Sequence, residues 1–181
     1  MNKKFKITLP LSILFVILII LDQITKYAVS TNLGDGREVK IFGDIFVLKY
    51  IVNFGAAFGF MQNQRIFFCI LTIAIFVALV ILYALIPYEK KYIALRANIV
   101  VLGAGAIGNL IDRLWLVSVR DFLYFKLIDF PIFNLADIYV TVSIAIIMLL
   151  VLFYYKDEDL EFLSIKRFKK DKTENAEKEK D

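Results

Sequence analysis

Four long apolar stretches, at about residues 7–27, 66–87, 93–113 and 132–155, constrain this chain more than any other feature. Each holds about 20 residues, enough at about 1.5 Å per helical residue to cross about 30 Å of hydrocarbon. A chain of 181 residues that is 60% hydrophobic, with mean hydropathy +0.70, cannot hide that much apolar surface in a water-soluble core. The expected fold is therefore an all-α membrane protein. One domain, residues 1–155, holds four transmembrane helices, and residues 156–181 form a charged cytoplasmic tail. The polar residues inside these stretches are not scattered. Asp22 lies near the end of the first, and Asn53 shortly before the second. Asn109, Asp112 and Arg113 close the third, and Asn134 and Asp137 open the fourth. Odd spans end at the face where even spans begin, so these groups gather at one membrane surface. Carboxylates in or beside hydrocarbon are costly and usually mark function.

Lys and Arg near span ends set orientation. Lys3, Lys4 and Lys6 precede the first span. Lys90, Lys91 and Arg96 lie around the link between the second and third, and Lys166, Arg167, Lys169, Lys170 and Lys172 follow the fourth. With four spans all three groups fall on one side, which is then cytoplasmic, as are both termini. The acids face the outside. The net charge of +4 and pI near 9.0 reflect this bias and not nucleic-acid binding, since no basic face stands free of the membrane. A cleaved signal peptide ending near Ala28-Val29-Ser30 is a rival for the N-terminus, but Asp22 and Lys26 interrupt it and three further spans follow.

The chain has no His, which excludes a Ser-His-Asp triad, a Cys-His pair and an H-E-x-x-H zinc site within it. Its single Cys, Cys69, sits inside the second span between Phe68 and Ile70 as a packing residue. Asp and Glu remain as catalytic groups, or Ser and Thr activated by Lys, and neither metal nor cofactor is expected.

Between the first two spans, Val39–Val52 is rich in β-branched and aromatic residues around Gly43-Asp44, which predicts a small extracytoplasmic hairpin or sheet. The small, flexible segment Asn53–Gly59 follows. The second outer loop, about residues 114–131, is expected to lie along the interface, with Trp115 and Tyr124 at headgroup depth. Gly103-Ala104-Gly105-Ala106-Ile107-Gly108 matches G-x-G-x-x-G, but the strand–turn–helix context of a dinucleotide site is missing, so tight helix packing is expected.

Helical spacing sorts the polar groups. Asp22 and Lys26 form an i, i+4 pair. Asn109, Asp112 and Arg113 share one face, as do Asn134, Asp137 and Thr141. Asp22–Lys26 and Asp112–Arg113 are readable as scaffold pairs that neutralise charge. Asp121 and Asp137 have no basic partner at helical spacing, although Arg120 adjoins Asp121. Two such acids close together share a proton, as in aspartic proteases.

Five segments in order, Asp22-Gln23-Ile24-Thr25-Lys26, Asn53–Gly59, Gly108-Asn109-Leu110-Ile111-Asp112-Arg113, Asp121-Phe122 and Phe133-Asn134-Leu135-Ala136-Asp137, resemble bacterial lipoprotein signal peptidase (signal peptidase II) over about residues 7–155. The resemblance implies an intramembrane aspartic endopeptidase of the bacterial cytoplasmic membrane. Such an enzyme removes the signal peptide from prolipoproteins just before a diacylglyceryl-modified Cys, and globomycin-type cyclic peptides inhibit it. It implies Asp121 and Asp137 as the catalytic dyad, with Asp22, Lys26, Asn53, Asn109, Arg113 and Asn134 supporting the site or holding substrate. Asp112 joins them as a candidate structural acid. Two positions depart from the family pattern: Arg120 stands where an apolar residue is common, and Ile138 where a small hydroxyl residue is. Two rivals remain. Ser30, four residues after Lys26, allows a Ser-Lys peptidase, and intramembrane acids also suit a small proton-coupled transporter.

Overall fold

The structure, a computed structural model, describes residues 3–55 and 64–163. Its helices are α1 (Lys3–Asn32), α2 (Arg65–Leu85), α3 (Ile93–Leu116) and α4 (Leu135–Leu149), and a π-helical turn extends α4 over Leu150–Tyr154. Among the described residues, four helical segments are long and apolar enough to cross a membrane: Lys3–Asn32, Arg65–Leu85, Lys90–Leu116 and Leu135–Tyr154. Side chains such as Ile17, Ile24, Ile70, Val80, Leu149 and Phe153 are exposed on them, which suits contact with lipid and not water. The third span is the hub: 44% of its most apolar window is buried, against 11%, 6% and 11% for the others in order.

Small residues let α3 take that place. A Cβ on Gly105 would lie 2.6 Å from the carbonyl oxygen of Ala136 and 2.9 Å from Val140 Cγ2, so α4 crosses directly over this glycine. Ala104 is fully buried beside it. The G-x-G-x-x-G run is thus a packing surface, as its context indicated.

Outside the spans, β1 (Glu38–Phe42), β2 (Phe46–Asn53) and β3 (Val119–Phe125) form an antiparallel sheet in the order β1-β2-β3. The β1–β2 hairpin lies where the alternation around Gly43-Asp44 placed it. The third strand lies within the second outer loop, over 114–131, where no strand was expected. Val119 and Asp121 face inward and are buried, and the backbone of β3 pairs with β2 from Phe46↔Phe125 to Asn53↔Val119. Trp115 belongs to the last turn of α3 and is 80% exposed. Between α3 and β3 the chain turns through Val117, whose φ of 69° is left-handed. For a β-branched residue that conformation is strained, and it ends the helix abruptly.

At the opposite end of the bundle, Arg96 is buried between the rings of Tyr83 and Tyr88 and donates to the carbonyls of Ile86 and Pro87, closing the end of α2. The start of the tail is not free either. Asp157–Leu163 forms a 3₁₀ segment whose Phe162 is buried edge-on against Tyr92, while Asp159 Oδ2 meets Lys91 Nζ at 2.5 Å. Residues beyond Leu163, with the basic cluster from Lys166 to Lys172, lie outside the described residues.

Replacing Gly105 by Val would force α3 and α4 apart. The expected loss is about 1–3 kcal/mol of stability, the usual cost of overpacking, read as a lower midpoint of thermal unfolding in detergent. An unchanged midpoint would contradict the close crossing.

Candidate active site

Asp121 and Asp137 face one cavity of about 470 Å³, whose polar wall includes Asn53, Asn109 and Arg113 and whose apolar wall includes Phe130, Ile132, Ile138 and Val142. Asp121 comes from β3 and Asp137 from the first turn of α4. Neither forms a salt bridge among the described residues. Amides hold them instead. Asp121 Oδ1 accepts from Asn134 Nδ2 at 2.6 Å and Asp121 Oδ2 from Asn53 Nδ2 at 2.8 Å. Asp137 Oδ1 accepts from Asn109 Nδ2 at 2.7 Å and Asp137 Oδ2 from the backbone N–H of Asn134 at 3.0 Å.

Local structure explains these positions. Asn134 caps α4: its Oδ1 accepts the N–H of Asp137 at 3.1 Å, while Asp137 returns a bond to the Asn134 N–H. This reciprocal capping box fixes the Asp137 rotamer and places its carboxylate where the helix dipole favours negative charge. Having spent its oxygen on the cap, the Asn134 amide uses Nδ2 to reach Asp121 and Asn109 Oδ1, the latter at 3.1 Å. Asn53 reaches Asp121 through a bulge. Pairing runs Leu48↔Leu123 and then Ile51↔Asp121, so β2 carries one extra residue there. Opposed residues in a sheet share a face, and the extra residue moves Ile51 and Asn53 onto the face of Asp121.

Burial raises the carboxyl of Asp121 to about 6, and the charge of Asp137 adds to the effect. The Asn53 and Asn134 hydrogen bonds act the other way.

Behind the cavity lies a second, fully engaged layer. Asp22, Lys26 and Asp112 have no solvent exposure. Lys26 Nζ lies 2.9 Å from Asp22 Oδ2 and 3.8 Å from Asp112 Oδ2, and donates to Asn109 Oδ1 at 2.8 Å. Asp22 Oδ1 also accepts the free N–H of Ala136 in the first turn of α4 at 3.1 Å. That approach needs Gly108, since a Cβ there would sit 2.5 Å from Asp22 Oδ2.

Two expectations are corrected. Asp112 does not pair with Arg113. Its partner is Arg120, whose Nη2 and Nε donate to Asp112 Oδ1 and Oδ2 at 2.7 and 3.1 Å. Adjacent helical residues do not face each other, and Arg113 instead lines the cavity with its guanidinium 5.1 Å from the Phe68 ring centre. The shared face of Asn109, Asp112 and Arg113 is accordingly split between two layers. Arg120, for its part, turns away from the acid that follows it. Thr141 lines the cavity one turn beyond Asp137, and Ala56–Gly59 lie outside the described residues.

Two contributors went unnoticed in the sequence. Gln23 donates to Asp112 Oδ1, Asp22 Oδ2 and the Gly108 carbonyl at 3.2, 3.0 and 3.1 Å. Arg65 donates to the carbonyls of Arg113 and Leu114 at 2.6 Å each, closing the end of α3. A basic residue is a known cap for a helix C-terminus, but which helix it caps is not readable from spacing.

A family model described as signal peptidase (SPase) II matches residues 14–153. The chain belongs to the signal peptidase II family. It is thus a membrane-spanning peptidase, a hydrolase. Among its relatives is a lipoprotein signal peptidase of Streptococcus thermophilus (strain CNRZ 1066), 39% identical over 154 residues, which are 85% of this chain and 96% of the relative. Another, from Clostridioides difficile (strain 630), is 40% identical over 145 residues, or 80% and 96% of the two chains. A solved bacterial membrane enzyme, determined by the in meso method at 1.9 Å resolution, superposes with a TM-score of 0.69 at 32% identity, covering 81% of this chain and 94% of that one.

The buried layer gives a direct prediction. Lys26→Met leaves Asp22 and Asp112 without their shared cation, and breaking such a buried pair costs about 3–5 kcal/mol. Chemical unfolding in detergent should show that loss, and a change below about 1 kcal/mol would place Lys26 in water-like surroundings.

Proposed function

We propose that this peptidase is an intramembrane aspartic endopeptidase that removes the signal peptide from diacylglyceryl-modified prolipoproteins, cutting just before the lipidated Cys. The observation that carries the mechanism is the cavity itself: two acids from different elements share it, and amide donors hold all four of their oxygens. The substrate class follows from the lipoprotein signal peptidases it resembles.

In this reading Asp137, at the N-terminus of α4, acts as the base and Asp121 as the acid. Asp137 takes a proton from water as the water oxygen attacks the scissile carbonyl. Asp121 gives its proton to the carbonyl oxygen, so the tetrahedral intermediate is neutral. The proton on Asp137 then passes to the leaving nitrogen as the C–N bond breaks, while Asp121 takes back a proton from one hydroxyl of the intermediate, which leaves the product carboxyl and restores the starting pair. Arg113 lies within reach of substrate in the same cavity and damps the repulsion between the acids. The apolar wall at Phe130, Ile132, Ile138 and Val142 suits the signal peptide and the diacylglyceryl chains. A globomycin-type cyclic peptide would block cleavage by filling this cavity. The Ser-Lys rival has no geometric support: Lys26 Nζ is held by Asp22 and Asn109, and Ser30 Oγ donates to the carbonyl of Tyr27 at 2.9 Å.

On a lipidated prolipoprotein, Asp121→Asn and Asp137→Asn should each lower kcat by at least about 10²–10⁴-fold, since each loses its part in proton transfer. An unlipidated precursor should be cleaved poorly by the wild type. Because the pair needs one proton, kcat/KM should fall as pH rises through about 6, where Asp121 ionises in the free enzyme. Robust cleavage by either folded Asn variant sinks the aspartic mechanism.

The Lys- and Arg-rich span ends support a site at the outer face of the bacterial cytoplasmic membrane, with both termini cytoplasmic. Periplasm-active reporters fused after Lys40 or Lys126 should be active and one after Lys172 silent. The reverse pattern would put the acids on the cytoplasmic side.

A further inference from the structure

Arg120 is the one charged residue next to a dyad acid, yet it serves a different layer. Successive strand residues point to opposite sides of a sheet, so Arg120 faces α1 and α3 while Asp121 faces the cavity. Three of its donors end on one carboxylate. The backbone N–H and Nε reach Asp112 Oδ2 at 3.0 and 3.1 Å, and Nη2 reaches Asp112 Oδ1 at 2.7 Å. The same Nη2 also donates to Gln23 Oε1 on α1 at 2.9 Å. One side chain therefore ties β3 to both α3 and α1, a single residue before Asp121.

Charge adds a second consequence. Asp22, Asp112, Lys26 and Arg120 make a buried cluster of zero net charge. Among the described residues, Lys26, 3.8 Å away, is the other cation within ion-pair distance of Asp112. Without Arg120, Lys26 would be drawn toward that carboxylate and away from Asn109, whose Oδ1 it now holds at 2.8 Å. That bond and the Asn134 bond to the same oxygen orient the Asn109 amide so that its Nδ2 meets Asp137. We propose that Arg120 is a positioning residue for both acids: its fork on Asp112 aims Asp121 into the cavity, and its charge frees Lys26 to orient Asn109 and, through it, Asp137. This inference rests on the aspartic reading of the site.

The test compares wild type, Arg120→Gln, Arg120→Lys, Asp112→Asn and the Arg120→Gln/Asp112→Asn double variant, purified whole and assayed on a lipidated prolipoprotein across pH. Arg120→Gln should lower kcat on the order of tenfold to a hundredfold, the cost of a small misplacement of reacting groups, with KM little changed. It should also move the alkaline limb of kcat/KM to higher pH, because the uncompensated Asp112 charge disfavours ionisation of the pair. The charged groups that face Asp121, namely Asp137, Lys26 and Arg113, all keep their charge in that variant, and Lys26 moving toward Asp112 shifts the limb in the same direction. Arg120→Lys keeps the charge but not the fork, so its limb should stay at the wild-type pH while kcat falls by an intermediate amount. The double variant should lose no more than the worse single one, as expected for two halves of one contact.

Wild-type kcat in Arg120→Gln or in Arg120→Lys overturns the proposal. So does a lowered kcat in Arg120→Gln with an unmoved limb, which a fold defect alone would give. If Arg120→Gln does not fold, the kcat and limb of Arg120→Lys decide. Asp121→Asn, run alongside, separates the two readings: cleavage by that variant removes the aspartic mechanism, whatever the Arg120 variants do.

Discussion

The site depends on one buried ammonium. Lys26 sits in the wall between α1 and α3 with no exposure to solvent, and a cation there is tolerable only because every direction around it offers an acceptor. Asp22 and Asp112 supply charge, and Asn109 supplies the carbonyl oxygen through which the cluster reaches the cavity. Desolvation makes such a cluster a poor source of net stability. Its value lies in geometry: Lys26 has a fixed length, and each partner comes from a helix that must sit where the bond closes. Gly108 and Gly105 let the helices come that near.

In front of that layer, the two cavity acids form no salt bridge among the described residues and are held by neutral amides. A direct salt bridge would hold a carboxylate ionised. An amide fixes an oxygen while leaving the acid free to gain or lose its proton. Asn134 touches both acids: its side-chain Nδ2 donates to Asp121 and to Asn109 Oδ1, its Oδ1 caps α4, and its backbone N–H donates to the Asp137 carboxylate. The division of labour between charged rear and amide front accounts for the mixture of Asp, Lys, Arg and Asn in so apolar a chain.

Much of this was legible in sequence, for reasons that can be stated. Asp22 and Lys26 are one helical turn apart, so their pairing follows from spacing. Asn134 and Asp137 stand at Ncap and N3, where a capping box forms. The collection of acids at one face follows from counting spans. What spacing could not supply was tertiary choice. Asp112 has a basic neighbour in sequence, but helix geometry points Arg113 elsewhere, and the true partner arrives on β3. That strand was itself missed. It follows a long helix, carries Arg and Asp within seven residues, and shows its β character only once β2 is beside it. The roles of Gln23 and Arg65 depend on contacts across 89 and 48 residues of chain, beyond any local pattern.

The bulge in β2 makes segment length a matter of parity. Asn53 meets Asp121 only because the strand carries one residue more than its partner between Leu48 and Ile51. Losing or gaining a single residue between Leu48 and Asn53 would send the amide to the far side of the sheet and present Val52 or Phe54 in its place. The hairpin tip around Gly43–Ile45 is under no such rule, since changes there leave the register of β2 on β3 alone. Length variation in this outer segment is therefore tolerable at the tip, and across the bulge only in steps of two.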